Sequence, residues 1–432
     1  MKFTKSSFLL LLLSILLIAY TFYKSEIIHG GLNRDYYIQY YLLSFFIVLL
    51  AFVFQIFDYK FKKSSIILVS IIIIFLYIIE LALIYKNTNN EFNSQNNLKS
   101  YIKEEKYLNL KNNNDDIVTY IEPRNFINDN TLEVFPLSGI PNTQTIFCEE
   151  DGRLPIYISD RYGFRNPDIL WDQKNNIDIM LIGESYFSGA CVSDGKTITA
   201  NLRNLLKDKK IVNLSYLGNG PLIQFATLIE YLNVLNPKII LWAYREKRDL
   251  LYLSYEKRNK ILNNYISNKN FFQDITSKQA LVNITLRKKF KDNLSVYDDK
   301  IINFDFIKFI KFSELRNYIQ PIKSNPTYSE YELFYKIIKK SYELTNNKNI
   351  KFYVVYFPDP NLFISDRAII EDSNSEKNII INNLNKIGVE IIDIKKNINN
   401  HSDPSSLYGS NFNEKGYLYI SEIISQYLRQ KK

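Results

Sequence analysis

Apolar residues are distributed unevenly along the 432-residue chain. Three long apolar runs occupy the first 86 residues, at about 7–23, 36–57 and 64–85, and each has roughly the ~20 residues that a helix needs to cross a bilayer. Beyond them, short apolar runs alternate with polar stretches, as in soluble domains. The pattern predicts three parts, namely a transmembrane region, a polar linker and a globular domain: 1–86, 87–142 and 143–432.

Basic residues flank the apolar runs asymmetrically. Five basic residues lie before the first run or between the second and third runs: Lys2, Lys5, Lys60, Lys62 and Lys63. Only two lie between the first and second runs, Lys24 and Arg34. Because basic loops stay in the cytoplasm, the amino terminus is predicted to lie inside. Three crossings then place the chain after Lys86 outside. We therefore predict a multi-pass protein of the inner (cytoplasmic) membrane with its C-terminal domain on the periplasmic side. Glu80, within the third run, receives no role.

Five short apolar runs of the globular part end at glycine or polar turns and alternate with helical patterns. They lie at about 177–182, 210–214, 238–244, 351–357 and 389–394. This alternation predicts an α/β fold with a parallel five-stranded sheet covered by helices on both faces. Residues 251–348 break the alternation, and we interpret them as an insertion that could cap the crevice at the sheet edge.

The first of these runs ends at the turn Gly183-Glu184-Ser185. Ligands of open α/β sheets bind at the carboxyl ends of the strands, and a serine on a tight turn there exposes its hydroxyl. Ser185 is therefore a candidate nucleophile. A Gly-x-Ser turn also forms merely to end a strand and cap the next helix, and the pattern leaves both interpretations open.

Composition excludes several kinds of partner. The net charge of +9 is spread over many lysines without a basic stripe with interleaved aromatic residues, so no nucleic acid is predicted. Two histidines and no Cys–His cluster with metal spacing indicate no metal site, and we predict no cofactor. The two cysteines, Cys148 and Cys191, are either a disulfide of an oxidising compartment or two buried thiols.

Four blocks of the chain resemble those of the SGNH (GDSL) hydrolase superfamily. In chain order they are Gly183–Tyr186, Asn213–Pro221, Glu246–Leu250 and Asn411–Tyr417. The lead-in from Cys148 to Asp168 is similar to that of a membrane-anchored bacterial subgroup. The likeness covers about residues 145–430. It implies a flavodoxin-like sheet of five parallel strands, here preceded by transmembrane helices.

The resemblance implies roles for two residues that this chain keeps. Ser185 would attack an ester carbonyl, and the backbone N–H groups of Ser185 and Gly218 would hold the oxyanion. The family's catalytic histidine, however, is replaced by Asn411, and the position three residues before it holds Tyr408 instead of aspartate. The usual base and its orienting carboxylate are therefore missing.

The third block departs in a similar way. Arg248 stands where the family has its oxyanion-hole asparagine, although Asp249 after it is kept. Arg248 could replace that asparagine as a cationic donor to the oxyanion. The candidate replacement base is His401, which has Asp403 nearby in the sequence. The alternative is that His401 is an exposed loop residue.

Two functions remain open at this stage. The first is a membrane-anchored SGNH-type esterase or O-acyltransferase that acts on ester-linked acyl groups of envelope glycans. The second is a catalytically degenerate SGNH-fold protein that binds a glycan or a protein partner without turnover. The expected partners are the lipid bilayer and a polysaccharide or acylated glycan. A third interpretation, an accessory part of a transport complex, is disfavoured because the apolar runs hold no polar cluster that would line a path.

Overall fold

The structure, a computed structural model, describes residues 5–28, 34–94, 110, 116–148, 154–172, 177–295, 309–310, 312–313, 315, 328–364, 373–409 and 411–431. The chain forms two compact units. The membrane unit comprises Met1–Asn93 and Ile301–Lys323, and the α/β unit comprises Ser94–Lys300 and Ser324–Lys432. Part of the predicted insertion therefore belongs to the membrane unit. Much of the predicted linker, and residues 149–153 of the lead-in, lie outside the described residues.

The membrane unit contains three helices, α1 (Lys5–Phe22), α2 (Arg34–Ile56) and α3 (Tyr59–Ser94). By length and composition, two segments can cross a membrane, Ser7–Ile27 and Tyr37–Phe54. They correspond to the first two predicted spans. Between α1 and α2, the hydroxyl of Ser14 donates a hydrogen bond of 2.9 Å to the carbonyl oxygen of Ser44.

The prediction of three membrane spans is wrong for the described residues. Helix α3 is one continuous helix, but its apolar stretch extends only over Ile71–Ile84. The sequence pattern had placed this span at 64–85, whereas the apolar stretch of the described helix begins later, at Ile71. The predicted outside location of the C-terminal domain, which counted three crossings, is therefore not established by these helices.

The α/β unit begins with a small sheet whose strands are β1 (Ile117–Thr119), β2 (Gln144–Ile146) and β3 (Ile156–Ile158). The main sheet follows, with strands β4 (Ile179–Ile182), β5 (Ile211–Asn213), β6 (Ile239–Arg245), β7 (Lys351–Phe357) and β8 (Glu390–Asp393). Its order is β5-β4-β6-β7-β8, and all neighbours are parallel. This is the flavodoxin-like order, in which the first strand occupies the switch point. The predicted parallel five-stranded sheet is confirmed.

Eleven helices of the α/β unit lie among the described residues. They are α4 (Ser185–Ser188), α5 (Ile198–Leu205), α6 (Pro221–Leu235), α7 (Asp249–Glu256), α8 (Lys260–Ser267), α9 (Gln279–Ser295), α10 (Tyr328–Asn346), α11 (Asn361–Ile364), α12 (Ser373–Ile387), α13 (Ile394–Asn399) and α14 (Glu414–Gln430).

The sheet is buried on both faces because successive strand residues point to opposite sides. In β6, Ile240 and Trp242 pack into one hydrophobic cluster, and Leu241 and Ala243 pack into a second. Helices α8, α9 and α10 of the predicted insertion contribute to the first cluster, for example through Phe334. These helices are therefore part of the core on one face of the sheet.

Glu256 connects helix α7 to the start of α6. Its buried carboxylate accepts hydrogen bonds from the backbone N–H groups of Gly220 at 2.6 Å and Leu222 at 2.8 Å. These are N–H groups that a helix start leaves without an intrahelical partner. Burial raises the pKa of Glu256 to about 8, although these hydrogen bonds act in the opposite direction. The cap of α6 therefore depends on pH.

We expect the Glu256→Gln variant to lose the pH dependence of this cap. Because the pKa of Glu256 rises on folding from 4.5 to about 8, its stabilising contribution is complete below pH 4.5 and is lost as pH rises through 8. Between pH 6 and 9, the unfolding midpoint of the wild type should fall more steeply than that of the variant. Denaturation followed by fluorescence of Trp171 and Trp242 measures this. Equal slopes would contradict the assignment.

Candidate active site

Ser185 lies at the carboxyl edge of the main sheet, directly after β4. Strand β4 ends at Ile182, and Gly183 then lets the chain turn close to β6, since a Cβ atom at position 183 would lie 2.6 Å from the Cβ of Ala243. Ser185 itself is 1% exposed. The next strand, β6, brings Arg245 to the same edge.

The serine hydroxyl has two charged partners. Ser185 Oγ donates to Glu184 Oε2, and Arg245 Nη1 donates to Ser185 Oγ at 2.8 Å. The same Arg245 nitrogen also lies 3.1 Å from Glu184 Oε2, which makes a buried ion pair. The hydroxyl of Ser185 is therefore engaged both as donor and as acceptor by this ion pair.

The charges of this pair are mutually stabilised. Burial alone would raise the pKa of Glu184. The charges of Arg245 and Arg248 and the hydrogen bonding with Ser185 lower the pKa by more than burial raises it, so it lies below its ordinary value. Burial lowers the pKa of Arg245, but Tyr186 and Glu184 raise it above its ordinary value. The guanidinium also lies 4.5 Å from the centre of the Tyr186 ring, a cation–π contact. Glu184 is therefore ionised and a weak base.

The third block, Glu246–Leu250, forms a turn and offers no side-chain amide to an oxyanion. Arg248 precedes the first residue of α7 and donates through Nη1 to the hydroxyl of Tyr252 at 2.9 Å. Asp249 accepts the backbone N–H of Arg245 at 3.0 Å. Burial raises the pKa of Asp249 well above its ordinary value, and its hydrogen bond serves the turn.

Gly218 has a carboxylate against its Cα atom. Its φ of +86° belongs to the left-handed region that favours glycine, and a Cβ at this position would lie 2.6 Å from Glu122 Oε2. Glu122 is buried and forms an ion pair with Arg124. The two backbone positions that the resemblance assigns to the oxyanion hole, at residues 185 and 218, are thus each adjacent to a glutamate.

The last block presents aromatic rings to this edge. Phe412 lies 4.7 Å from the ring of Tyr186, and Tyr408 stacks on Phe412 at 4.4 Å between ring centres. Asn411 lies between them in the sequence, and its carbonyl oxygen accepts the N–H of Gly409 at 2.6 Å. The residue that replaces the family's histidine is therefore on the loop next to the serine turn.

His401 has other neighbours. Its ring packs on Tyr419 at 4.9 Å, and its Nδ1 accepts the backbone N–H of Asp403 at 3.1 Å. Asp403 in turn caps the following helical turn through the N–H of Ser406. Among the described contacts, none joins His401 to Ser185. The structure thus brings together Ser185, Arg248 and Asp249, with Gly218 on the neighbouring turn, but it does not place His401 with them.

The turn that carries Ser185 is held at its far end. Arg165 donates to the carbonyl oxygens of Gly189 at 2.8 Å and Val192 at 2.9 Å. Cys148 and Cys191 form a disulfide, with Cα atoms 5.5 Å apart. Of the two alternatives that the sequence left open for the cysteines, the structure has the disulfide.

Arg245 and Glu122 were missed from the sequence. Arg245 had a readable signal, because it is a charged residue at the end of an otherwise apolar strand, Ile239–Arg245. Glu122 had none, because it lies about a hundred residues before Gly218 on an irregular segment. Within the described part of the chain, no group of three or more His, Cys, Asp or Glu side chains could hold a metal ion.

Comparisons with known proteins returned structures only. No protein-family model and no curated protein matches the chain. A search of solved structures found several GDSL-type lipolytic enzymes and acylhydrolases. A GDSL-like lipase from Bacteroides thetaiotaomicron is 7% identical, with 60% of this chain and 90% of that chain covered and a TM-score of 0.33.

Two further structures are similar to the same extent. The lipase/acylhydrolase from Enterococcus faecalis is 8% identical, with 59% of this chain and 96% of that chain covered and a TM-score of 0.33. The psychrotrophic esterase EstA from Pseudoalteromonas sp. is 9% identical, with 59% and 98% covered and a TM-score of 0.32. At such scores we take neither fold nor activity from these structures. The fold described here rests on the strand order, and the description of the site rests on its own side chains.

We expect the Arg245→Met variant to be strongly destabilised, because it leaves the charge of Glu184 buried without its partner. Removing one member of a buried ion pair typically costs about 3–5 kcal/mol in the free energy of unfolding. Adding Glu184→Gln should restore a large part of the loss. The same tryptophan-monitored denaturation measures both variants.

The matched control is Arg161→Met. Arg161 pairs with Asp168 at 2.6 Å on the surface, and exposed pairs contribute about 0–1 kcal/mol. If Arg245→Met were no more destabilising than Arg161→Met, the buried pair would not hold this edge of the sheet.

Proposed function

We propose that this chain is a membrane-anchored protein whose Ser185 site binds an acyl group, as an ester or as the free acid, without turning it over at an enzyme's rate. The observation that carries this proposal is the set of hydrogen bonds on Ser185. Its hydroxyl donates to Glu184 and accepts from Arg245.

This geometry opposes nucleophilic catalysis in two ways. A general base contributes about 10²–10⁴-fold to such reactions, and Glu184, with its lowered pKa, is poorly suited to take a proton from Ser185. An oxyanion hole also needs donors directed at the developing negative charge. Here Glu184 is hydrogen-bonded to the Ser185 hydroxyl, and Glu122 lies against the Cα atom of Gly218, so a carboxylate is close to both positions.

Binding is supported by the polar atoms that surround the serine. Glu184 Oε1, Tyr186 OH, Arg245 Nε and Tyr408 OH are buried and have no hydrogen-bond partner within the described part of the chain. A buried polar atom without a partner costs roughly 1–3 kcal/mol, which a ligand can relieve. The donors among them, the tyrosine hydroxyls and the arginine, match the oxygens of an acyl group.

The second candidate function is an ester-acting enzyme, either hydrolase or acyltransferase. One observation favours it, namely that Ser185 Oγ already donates to a carboxylate that could serve as the base. In that mechanism Glu184 accepts the hydroxyl proton while Ser185 attacks the carbonyl carbon, and Arg245 stabilises the negative charge of the tetrahedral intermediate. Collapse of the intermediate breaks the ester C–O bond, and the leaving alcohol takes the proton from Glu184 and leaves Ser185 acylated. Water or an acceptor hydroxyl then takes the acyl group and restores the serine.

We further propose that the α/β unit lies on the outer side of the inner membrane, where an acylated envelope glycan would be the ligand. Two apolar helices support the membrane anchor. The Cys148–Cys191 disulfide supports an oxidising compartment, because such bonds are rare in the cytosol. The glycan as the carrier of the acyl group follows from the family resemblance alone.

The test of turnover is hydrolysis of an aryl acetate by the purified full chain. We expect the wild type to be no faster than Ser185→Ala, since the serine lacks an effective base. The double variant Asn411→His with Arg248→Asn should gain activity. Ser188→Ala is the control, because Ser188 lies on the same helical turn and hydrogen-bonds the carbonyl oxygen of Ser185.

The second candidate function would instead be supported if the wild type hydrolyses the ester and both Ser185→Ala and Glu184→Gln abolish the reaction, while Ser188→Ala does not.

Binding is measured separately, by titrating the wild type with acetate and with an O-acetylated oligosaccharide against its deacetylated form. Lack of any difference between the two oligosaccharides would contradict the acyl-binding proposal.

Location has its own test. In cells alkylated before lysis under non-reducing conditions, Cys148 and Cys191 should not react, and reduction should expose both thiols. An α/β unit in the cytosol would be alkylated without reduction, which would overturn the proposed outer location.

A further inference from the structure

The membrane unit includes a segment from the middle of the chain, Ile301–Lys323, in addition to the amino-terminal helices. Five of its residues are described, 309, 310, 312, 313 and 315. Of these, Phe309, Ile310, Phe312 and Leu315 contact Tyr77 or Glu80 of α3. Because the apolar helices α1 and α2 belong to the same unit, this segment is continuous with the part of the protein that the bilayer surrounds.

The contacted face of α3 carries the two polar side chains of the apolar stretch Ile71–Ile84. Tyr77 and Glu80 are three residues apart and so lie on the same side of the helix. Glu80 is fully buried. The flanking apolar residues of α3, in contrast, are 46–61% exposed: Ile74, Phe75, Ile78 and Leu81. The returning segment thus covers the polar face and leaves the apolar faces for lipid.

Hydrogen bonds connect the segment to these two residues. The backbone N–H of Leu315 donates to Glu80 Oε2 at 2.6 Å, and Tyr77 OH donates to the carbonyl oxygen of Ile310 at 3.4 Å. In lipid, backbone polar groups need partners within the protein, and a carboxylate in an apolar stretch is costly unless it is paired. Helix α3 and the returning segment therefore supply hydrogen-bond partners to each other's polar groups, which would be costly in a bilayer without partners.

Aromatic packing completes the contact. The rings of Phe309 and Phe312 lie 4.9 Å and 4.2 Å from the ring of Tyr77. Ile310, in contrast, is 48% exposed. An exposed isoleucine beside this partly buried aromatic cluster is the apolar side chain that lipid could cover.

We propose that the described residues Phe309, Ile310, Phe312 and Leu315 form a second membrane-attachment site of this chain, at the lipid interface with Ile310 against the acyl chains and with Leu315 held on α3 by Glu80. The insertion is then attached to the bilayer together with α3. The occupant of the exposed apolar side is lipid and not a second copy of the chain.

The experiment uses the full chain in nanodiscs, with a bimane fluorophore on a single introduced cysteine. Cys148 and Cys191 are joined in a disulfide and leave the new thiol as the reactive one. We expect the label on Ile310→Cys to emit at shorter wavelength than in water and to lose emission in nanodiscs of brominated lipid. The label on Lys278→Cys, an exposed position of the α/β unit, should show neither effect.

The role of Glu80 is tested with two further variants in the Ile310→Cys background. Glu80→Gln keeps an oxygen that accepts the Leu315 N–H, and it should preserve quenching by brominated lipid. Glu80→Leu has no acceptor and should reduce the quenching. Equal quenching in both would show that Glu80 does not hold the segment, and the proposal would fail in that part.

Two results would overturn the lipid contact itself. Emission of the Ile310→Cys label at the wavelength seen in water, without quenching, would place the segment in solvent. Emission at short wavelength without quenching by brominated lipid would show that protein, such as a second copy of the chain, covers it.

Discussion

The buried ion pair between Arg245 and Glu184 determines the character of this sheet edge. Arg245 is the last residue of β6, Glu184 follows the neighbouring parallel strand β4, and both are almost fully buried. Neither charge can be removed alone without leaving the other uncompensated in a medium of low polarity. Ser185 lies between them and bonds to both. The chemistry of the serine is therefore set by the pair, since its hydroxyl is already committed as donor and as acceptor.

The residues that follow Arg245 are also fixed by buried ion pairs and hydrogen bonds. Glu246 pairs with Lys395 at 2.9 Å, where both side chains are buried, and the N–H of Lys247 donates to Glu376 at 2.8 Å. Asp249 closes the turn through the N–H of Arg245. These contacts come from three different parts of the chain. They fix the exit of β6, so that Arg245 has little freedom to leave Ser185 and the site is rigid before any ligand arrives.

A serine centre of this kind is well suited to hold an oxygen-bearing group and poorly suited to attack it. Serine catalysis needs a base of suitable pKa and donors that point at the oxyanion. This edge instead offers an ionised glutamate of lowered pKa at Ser185 and a second glutamate beside Gly218. The rings of Tyr408 and Phe412 lie where the last block approaches the serine turn. The sheet edge therefore combines a parallel α/β scaffold with an unusual concentration of buried charge.

The sequence by itself determined the scaffold. Five apolar runs that stop at glycine or polar turns fall on the five strands, and the first two apolar runs of the chain are helices long enough to cross a membrane. Such patterns are local, because a strand or helix records its burial in the spacing of its own residues. The position of Ser185 at a strand end follows from the same local signal.

Only the tertiary structure decided what surrounds Ser185. Arg245 reaches the serine because β6 pairs with β4, and Glu122 reaches Gly218 from a distant irregular segment. The disulfide and the contact of Leu315 with Glu80 likewise join residues far apart in the chain. His401 was a plausible base by sequence and is packed elsewhere, on Tyr419. Side-chain pairing of this kind depends on strand order and on long-range packing, and neither leaves a periodic trace in the sequence.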